Sequence, residues 1–184
     1  MANRRIILVS LLASLYACAS ANGEANNEAT PSALPLPQLV GNARHFKTEY
    51  FTRGSLGRLY RYRDGRFRPD VYVYPASEWP DVATQAFDFI QTLNAERNRR
   101  WFDAYEIMLD EPIRLPVAED TLTGHEIVFR IRRGSQNRDS YFAVLAVRDQ
   151  YVKFRITQAP DDNAPVKSRA FVHAWLSAYL GTTK

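Results

Sequence analysis

The sequence predicts an α+β fold in which one antiparallel β-sheet packs with two amphipathic helices. Three patterns carry this expectation. Residues 57–75 alternate apolar and polar positions on either side of Asp64-Gly65, a pair that favours a two-residue hairpin turn. Residues 124–158 alternate in the same way over several further strands. Apolar residues recur at helical spacing in residues 80–98 and again in 161–181. Helices placed outside the run of strands suit a sandwich of helices and antiparallel sheet rather than a doubly wound fold.

In chain order, Arg4 and Arg5 precede an apolar run over residues 6–16, which is too short to span a bilayer and fits the core of an export signal. Leu15, Tyr16 and Ala17 then lead to Cys18, with an aliphatic residue three before the cysteine and a small one directly before it. This stretch resembles the lipobox of bacterial lipoproteins, although Tyr16 is bulkier than the usual occupant. The resemblance implies cleavage after residue 17, diacylglycerol on the Cys18 thiol and acylation of the new N-terminus. Each buried methylene contributes about 0.8 kcal/mol, so two or three acyl chains hold a protein on a bilayer almost permanently. The alternative is an ordinary signal cut at the neighbouring "ACA" or "ASA". Ala19 stands where the inner-membrane retention signal of enteric lipoproteins places Asp, so the family rule favours the periplasmic face of the outer membrane.

Residues 18–45 comprise Cys18 and a stretch rich in Ala, Asn, Pro, Ser and Glu without periodicity, which reads as a disordered linker. Such a linker spans roughly 28 Å as a coil and about 85 Å fully extended. A single domain is expected over residues 46–184. Its first pair of strands flanks Asp64-Gly65. A helix follows, with Val82, Ala86, Phe89, Ile90 and Leu93 on one stripe, Asp81 near its start and Arg97, Arg99 and Arg100 at its end. Next come a strand bent at Pro112, an alternating strand through Ile127, Phe129 and Ile131, and two long strands turned at Arg148-Asp149-Gln150. The last helix takes Asp162 or Asn163 as its cap and Gly181 as its stop. Val166, Ala170, Ala174, Trp175 and Ala178 form its expected apolar stripe.

This order of early hairpin, helix, meander ending in "YVKFRIT" and C-terminal helix resembles the fold of the PsbP/DcrB-like proteins. The likeness covers residues 50–180, lies in element order and strand character with no invariant chemical motif, and implies fold rather than function. A cystatin-like helix-on-sheet domain is the alternative.

The chemistry is constrained mainly by what is missing. Without Arg4 and Arg5 the chain carries 22 basic and 20 acidic residues, a balance too mild for a nucleic-acid partner. One cysteine permits no internal disulfide and no multi-cysteine zinc site. No Gly-x-Ser-x-Gly elbow or phosphate-binding loop occurs, and no cofactor is expected. His45, His125 and His173 lack metal-ligand spacing. Asp110, Glu111, Glu119 and Asp120 read as a solvated loop. The remaining signal is basic and aromatic: Arg61, Arg63, Tyr72, Tyr74, Arg130, Arg132, Lys153 and Arg155 alternate outward on the strands and, if the strands pair, form one cationic face. Such a face suits an envelope protein or an anionic lipid. The expectation is therefore a membrane-tethered, non-enzymatic binding or assembly module. The alternatives are an envelope hydrolase whose site assembles from distant histidines and acids, and an accessory subunit docked permanently in a complex.

Overall fold

The computed structural model describes residues 36–51 and 57–181. The signal, Cys18 and the linker up to residue 35 lie outside the described residues. Eight strands form one antiparallel sheet: β1 (Leu39–Val40), β2 (Ala43–Tyr50), β3 (Arg58–Arg63), β4 (Arg68–Pro75), β5 (Ala104–Val117), β6 (Asp120–Arg133), β7 (Gln136–Val147) and β8 (Gln150–Gln158). Helix α1 (Val82–Asn98) joins β4 to β5, and α2 (Ala164–Gly181) ends the described chain. The strand order is β1-β2-β3-β4-β8-β7-β6-β5. Two meanders thus meet where β4 pairs with β8, Val71 opposite Phe154 and Val73 opposite Val152. The mixed α+β class and the antiparallel sheet are as the sequence predicts, with the sheet dominating.

Each helix takes one face of the sheet. Ala86 and Leu93 of α1 pack on Ile127 and Phe129 of β6 and on Phe142 and Val144 of β7. On the opposite face Phe171, Val172, Trp175, Leu176 and Tyr179 of α2 cover Val71, Val152, Phe154, Tyr141 and Leu145. A central strand such as β7 is therefore buried on both sides, which is why residues 141–145 read as an unbroken apolar run rather than an alternation.

Three expectations need correction. Strands β1 and β2 begin inside the stretch assigned to the linker: His45 and Thr48 of β2 pair with Tyr62 and Tyr60 of β3, and the His45 amide donates to the Gln38 carbonyl at 3.0 Å. Basic and acidic residues on this near-edge strand hide its period. The expected single strand is present as β5, but its register does not shift at Pro112, because β5 is the outer strand and its prolines need no partner there. Asp110 and Glu111 thus sit mid-strand rather than in a loop, and the irregularity falls instead between Ile107 and Leu109. On α2 the stripe is rotated: Val166 is 64% exposed, Ala170 and Ala174 are exposed, and Phe171, Val172, Leu176 and Tyr179 are buried beside Trp175. Alanines contribute too little area to decide which face turns inward against four large side chains.

Candidate functional site

Backbone register decides which of the predicted surface residues can act together. Across β3, β4 and β8, Arg61 lies opposite Asp70 and Asp70 opposite Arg155; in the next row on the same face Leu59, Tyr72 and Lys153 are aligned. These side chains share the α1 side of the sheet. Helix α1 itself lies over β5, β6 and β7, and Arg61, Asp70, Tyr72, Lys153 and Arg155 remain half-buried beside it.

Charges in the first row compensate one another. The Asp70 carboxyl is raised by burial, an effect opposed by Arg61 and Arg155. Arg61 Nε is 3.2 Å from Glu49 Oε1, without hydrogen-bond alignment. From α1, Glu96 contributes a buried carboxylate whose Oε1 has no hydrogen-bond partner among the described residues. Burial raises its pKa, and the charges of Arg155 and Arg99 oppose the rise. Lys153, in the second row, is different. Its Nζ is 4.6 Å from the centroid of the Tyr72 ring and 5.5 Å from that of Tyr74. It forms no ion pair with a carboxylate among the described residues. Burial, with a smaller contribution from Arg155, pushes its pKa down to about 8. The site is therefore one under-compensated ammonium between tyrosine rings, bordered by an alternating row of charges.

The other predicted members do not join it. Arg130 and Arg132 project on the α2 side, because Phe129 and Ile131, which alternate with them, pack under α1. Arg130 makes a forked pair with Asp139, at 2.6 and 3.0 Å, and Arg132 is exposed at the β6–β7 hairpin. "Outward" on a strand means one surface only where a single face of the sheet is covered, and here both faces carry a helix. Arg63 is exposed and stacks over Phe46 at 5.0 Å. Tyr74 is buried, and its hydroxyl donates to Gln85 Oε1 of α1, which makes it part of the helix packing rather than an accessible surface. Glu96 went unrecognised because a glutamate near an arginine-rich helix end reads as a solvated position; its place on the Ala86–Leu93 stripe, three residues beyond Leu93, was the available signal.

The histidines stay apart. His45 Nε2 meets Thr48 Oγ1 at 2.9 Å, His173 Nε2 meets the Pro116 carbonyl at 3.1 Å, and His125 Nε2 meets Asp110 Oδ1 at 2.6 Å on β5–β6. Two cavities accompany α2. One, about 690 Å³, includes Arg66, Phe67, Asp161, Lys167 and Phe171 in its lining. The other, about 370 Å³, includes Glu111, Glu126, Tyr141 and Arg169. Neither is lined by a histidine. Beside the second, the buried Glu126 carboxylate accepts from Tyr141 Oη at 2.7 Å and from Arg169 Nε at 3.0 Å, with a further short contact from Arg169 Nη2. Arg169 Nη2 also reaches Glu111 Oε1 at 3.4 Å.

No helix among the described residues is long and apolar enough to cross a membrane. No family model matches the chain, and no curated protein matches it. Among solved structures, the chain is similar to cyanobacterial PsbP from Synechocystis sp. PCC 6803, at 17% identity and a TM-score of 0.47, over 70% of this chain and 78% of that one. It is also similar to a protein of unknown function from Pseudomonas aeruginosa, at 8% identity and a TM-score of 0.34, over 59% of this chain and 72% of that one.

Proposed function

We propose that this chain is a periplasmic lipoprotein, anchored by acyl chains on Cys18 with the outer membrane favoured, whose domain is a non-enzymatic binding or assembly module of the cell envelope. The domain is read as a PsbP/DcrB-like sandwich on its element order of hairpin, helix, meander and C-terminal helix. The observation that carries the binding reading is Lys153, an ammonium held over Tyr72 without a carboxylate of its own. A half-buried cation of this kind gains a charge-assisted hydrogen bond when an anionic group arrives, and the neighbouring aromatic ring adds contact area at low entropic cost. The partner is an acidic segment of an envelope protein or an anionic lipid head group.

A photoreactive amino acid in place of Tyr72, introduced in the full chain in intact cells, tests this directly. A discrete crosslinked adduct is expected, diminished at least tenfold when Lys153 is also changed to Glu. The same probe at the exposed Val166 of α2 serves as the control. Equal adducts from both positions, or an adduct indifferent to Lys153→Glu, would remove the assignment of this face.

A further inference from the structure

A second surface lies at one end of the sheet, away from Tyr72 and Lys153. Helix α1 terminates with Arg100 in the left-handed region at φ 60, its amide donating to the Arg97 carbonyl at 2.9 Å while that of Trp101 donates to the Glu96 carbonyl at 3.2 Å. This is the helix-ending geometry that glycine adopts most readily, held here by an arginine. It presents Trp101, 41% exposed, at the tip of the domain. The following residues tie that tip to the β6–β7 hairpin: the Asp103 amide donates to the Arg132 carbonyl at 2.9 Å, and the Gly134 amide donates to Asp103 Oδ2 at 2.6 Å. Arg99, Arg100, Arg132, Arg133 and Arg138 are consequently gathered at the same end, all exposed. None of the five forms an ion pair among the described residues. Of the nearby acids, Asp139 pairs with Arg130 and Asp161 with Lys167, which leaves Asp103, whose carboxylate accepts the Gly134 amide but keeps its charge, together with Glu106 and Asp162, fewer than the five arginines.

We propose that this end docks on an anionic phospholipid surface, with Trp101 at the head-group level and the five arginines against the phosphates. An indole combined with clustered arginines matches the polarity gradient of a membrane interface: the ring enters the boundary, and each cation near the surface strengthens association about fivefold. The inference rests on the reading of the chain as membrane-anchored, and it adds an orientation to that reading. The stretch between Cys18 and Leu36 reaches at most about 60 Å, enough to let this end turn towards the bilayer. Docking there leaves the Tyr72–Lys153 face free for a partner.

The full chain is reconstituted with vesicles of phosphatidylglycerol or phosphatidylcholine carrying brominated acyl chains, and tryptophan quenching is compared between the wild type and Trp101→Phe. The contribution of Trp101 should be quenched on phosphatidylglycerol, little quenched on phosphatidylcholine, and relieved by salt. The triple variant Arg99→Glu, Arg132→Glu, Arg133→Glu should reduce docking at least a hundredfold. Unquenched Trp101 on phosphatidylglycerol, equal quenching on both lipids, or indifference to the triple variant would overturn the proposal. So would binding of an acidic protein by this end without vesicle quenching. Sedimentation of the same samples reads the anchor separately: chain that sediments with an unquenched Trp101 defeats the docking alone, and chain that fails to sediment on phosphatidylcholine defeats the anchor.

Discussion

Trp175→Ala should cost about 3–5 kcal/mol, measured as a shift of the urea midpoint at unchanged slope. Trp175 is fully buried at the centre of the α2 layer. Its ring stacks on Tyr179 at 4.7 Å and meets Phe154 edge-on at 5.6 Å. Its Nε1 donates to Tyr62 Oη at 2.8 Å, and that hydroxyl donates in turn to the Pro37 carbonyl at 2.8 Å. One side chain therefore links the helix, the sheet and the segment that leads into β1. Truncation removes the ring contacts and leaves the Tyr62 hydroxyl without a donor in a site that water cannot readily fill. Since a domain of this kind is stable by only about 5–15 kcal/mol, the variant is expected to lose a large share of its stability. Trp175→Phe keeps much of the packing and should cost clearly less. A loss below 1 kcal/mol for the alanine variant would mean that α2 is not anchored as described.

Arg169→Ala is the second large effect, about 3 kcal/mol. Glu126 is fully buried and relies on Arg169 and the Tyr141 hydroxyl for compensation. Removing one partner of a buried pair typically costs about 3–5 kcal/mol because the other charge is left uncompensated. Arg169 is 46% exposed, so water can reach part of the vacated site, which places the expectation at the lower end of that range. Glu126→Leu combined with Arg169→Met should recover most of the loss, since apolar replacement of a buried pair is often neutral. A double variant as unstable as the single one would show that the pair contributes through geometry rather than charge.

The elements legible in the sequence were those with a strong local signal. The turn at Arg148 and the α1 stripe from Val82 to Leu93 stand where spacing and turn chemistry put them, and the first hairpin turns one residue later than expected, at Gly65-Arg66 between the paired Asp64 and Phe67. What escaped depends on pairing between distant residues. The β4–β8 junction aligns Tyr72 with Lys153 across eighty residues of chain, and no local pattern encodes it. The same non-locality divided the predicted cationic surface: Arg61, Lys153 and Arg155 fall on the α1 side, while Arg130 and Arg132 fall on the α2 side. The buried stripe of α2 departs from the expected one because alanines carry too little area to compete with Phe171, Leu176 and Tyr179. Complementing the helix dipole accounts for Arg99 and Arg100 at the α1 terminus but not for their neighbours on the β6–β7 hairpin.

The proposed location depends on Cys18, the only thiol in the chain. If that thiol carries lipid, the domain acts at a membrane surface, and its activity must come from tyrosines, charged groups and histidines. Metabolic labelling with a radioactive fatty acid measures this in one step. The wild type should incorporate label and fractionate with membranes, and Cys18→Ser should do neither. Equal labelling of the two chains, or no labelling of the wild type, would contradict the lipoprotein reading.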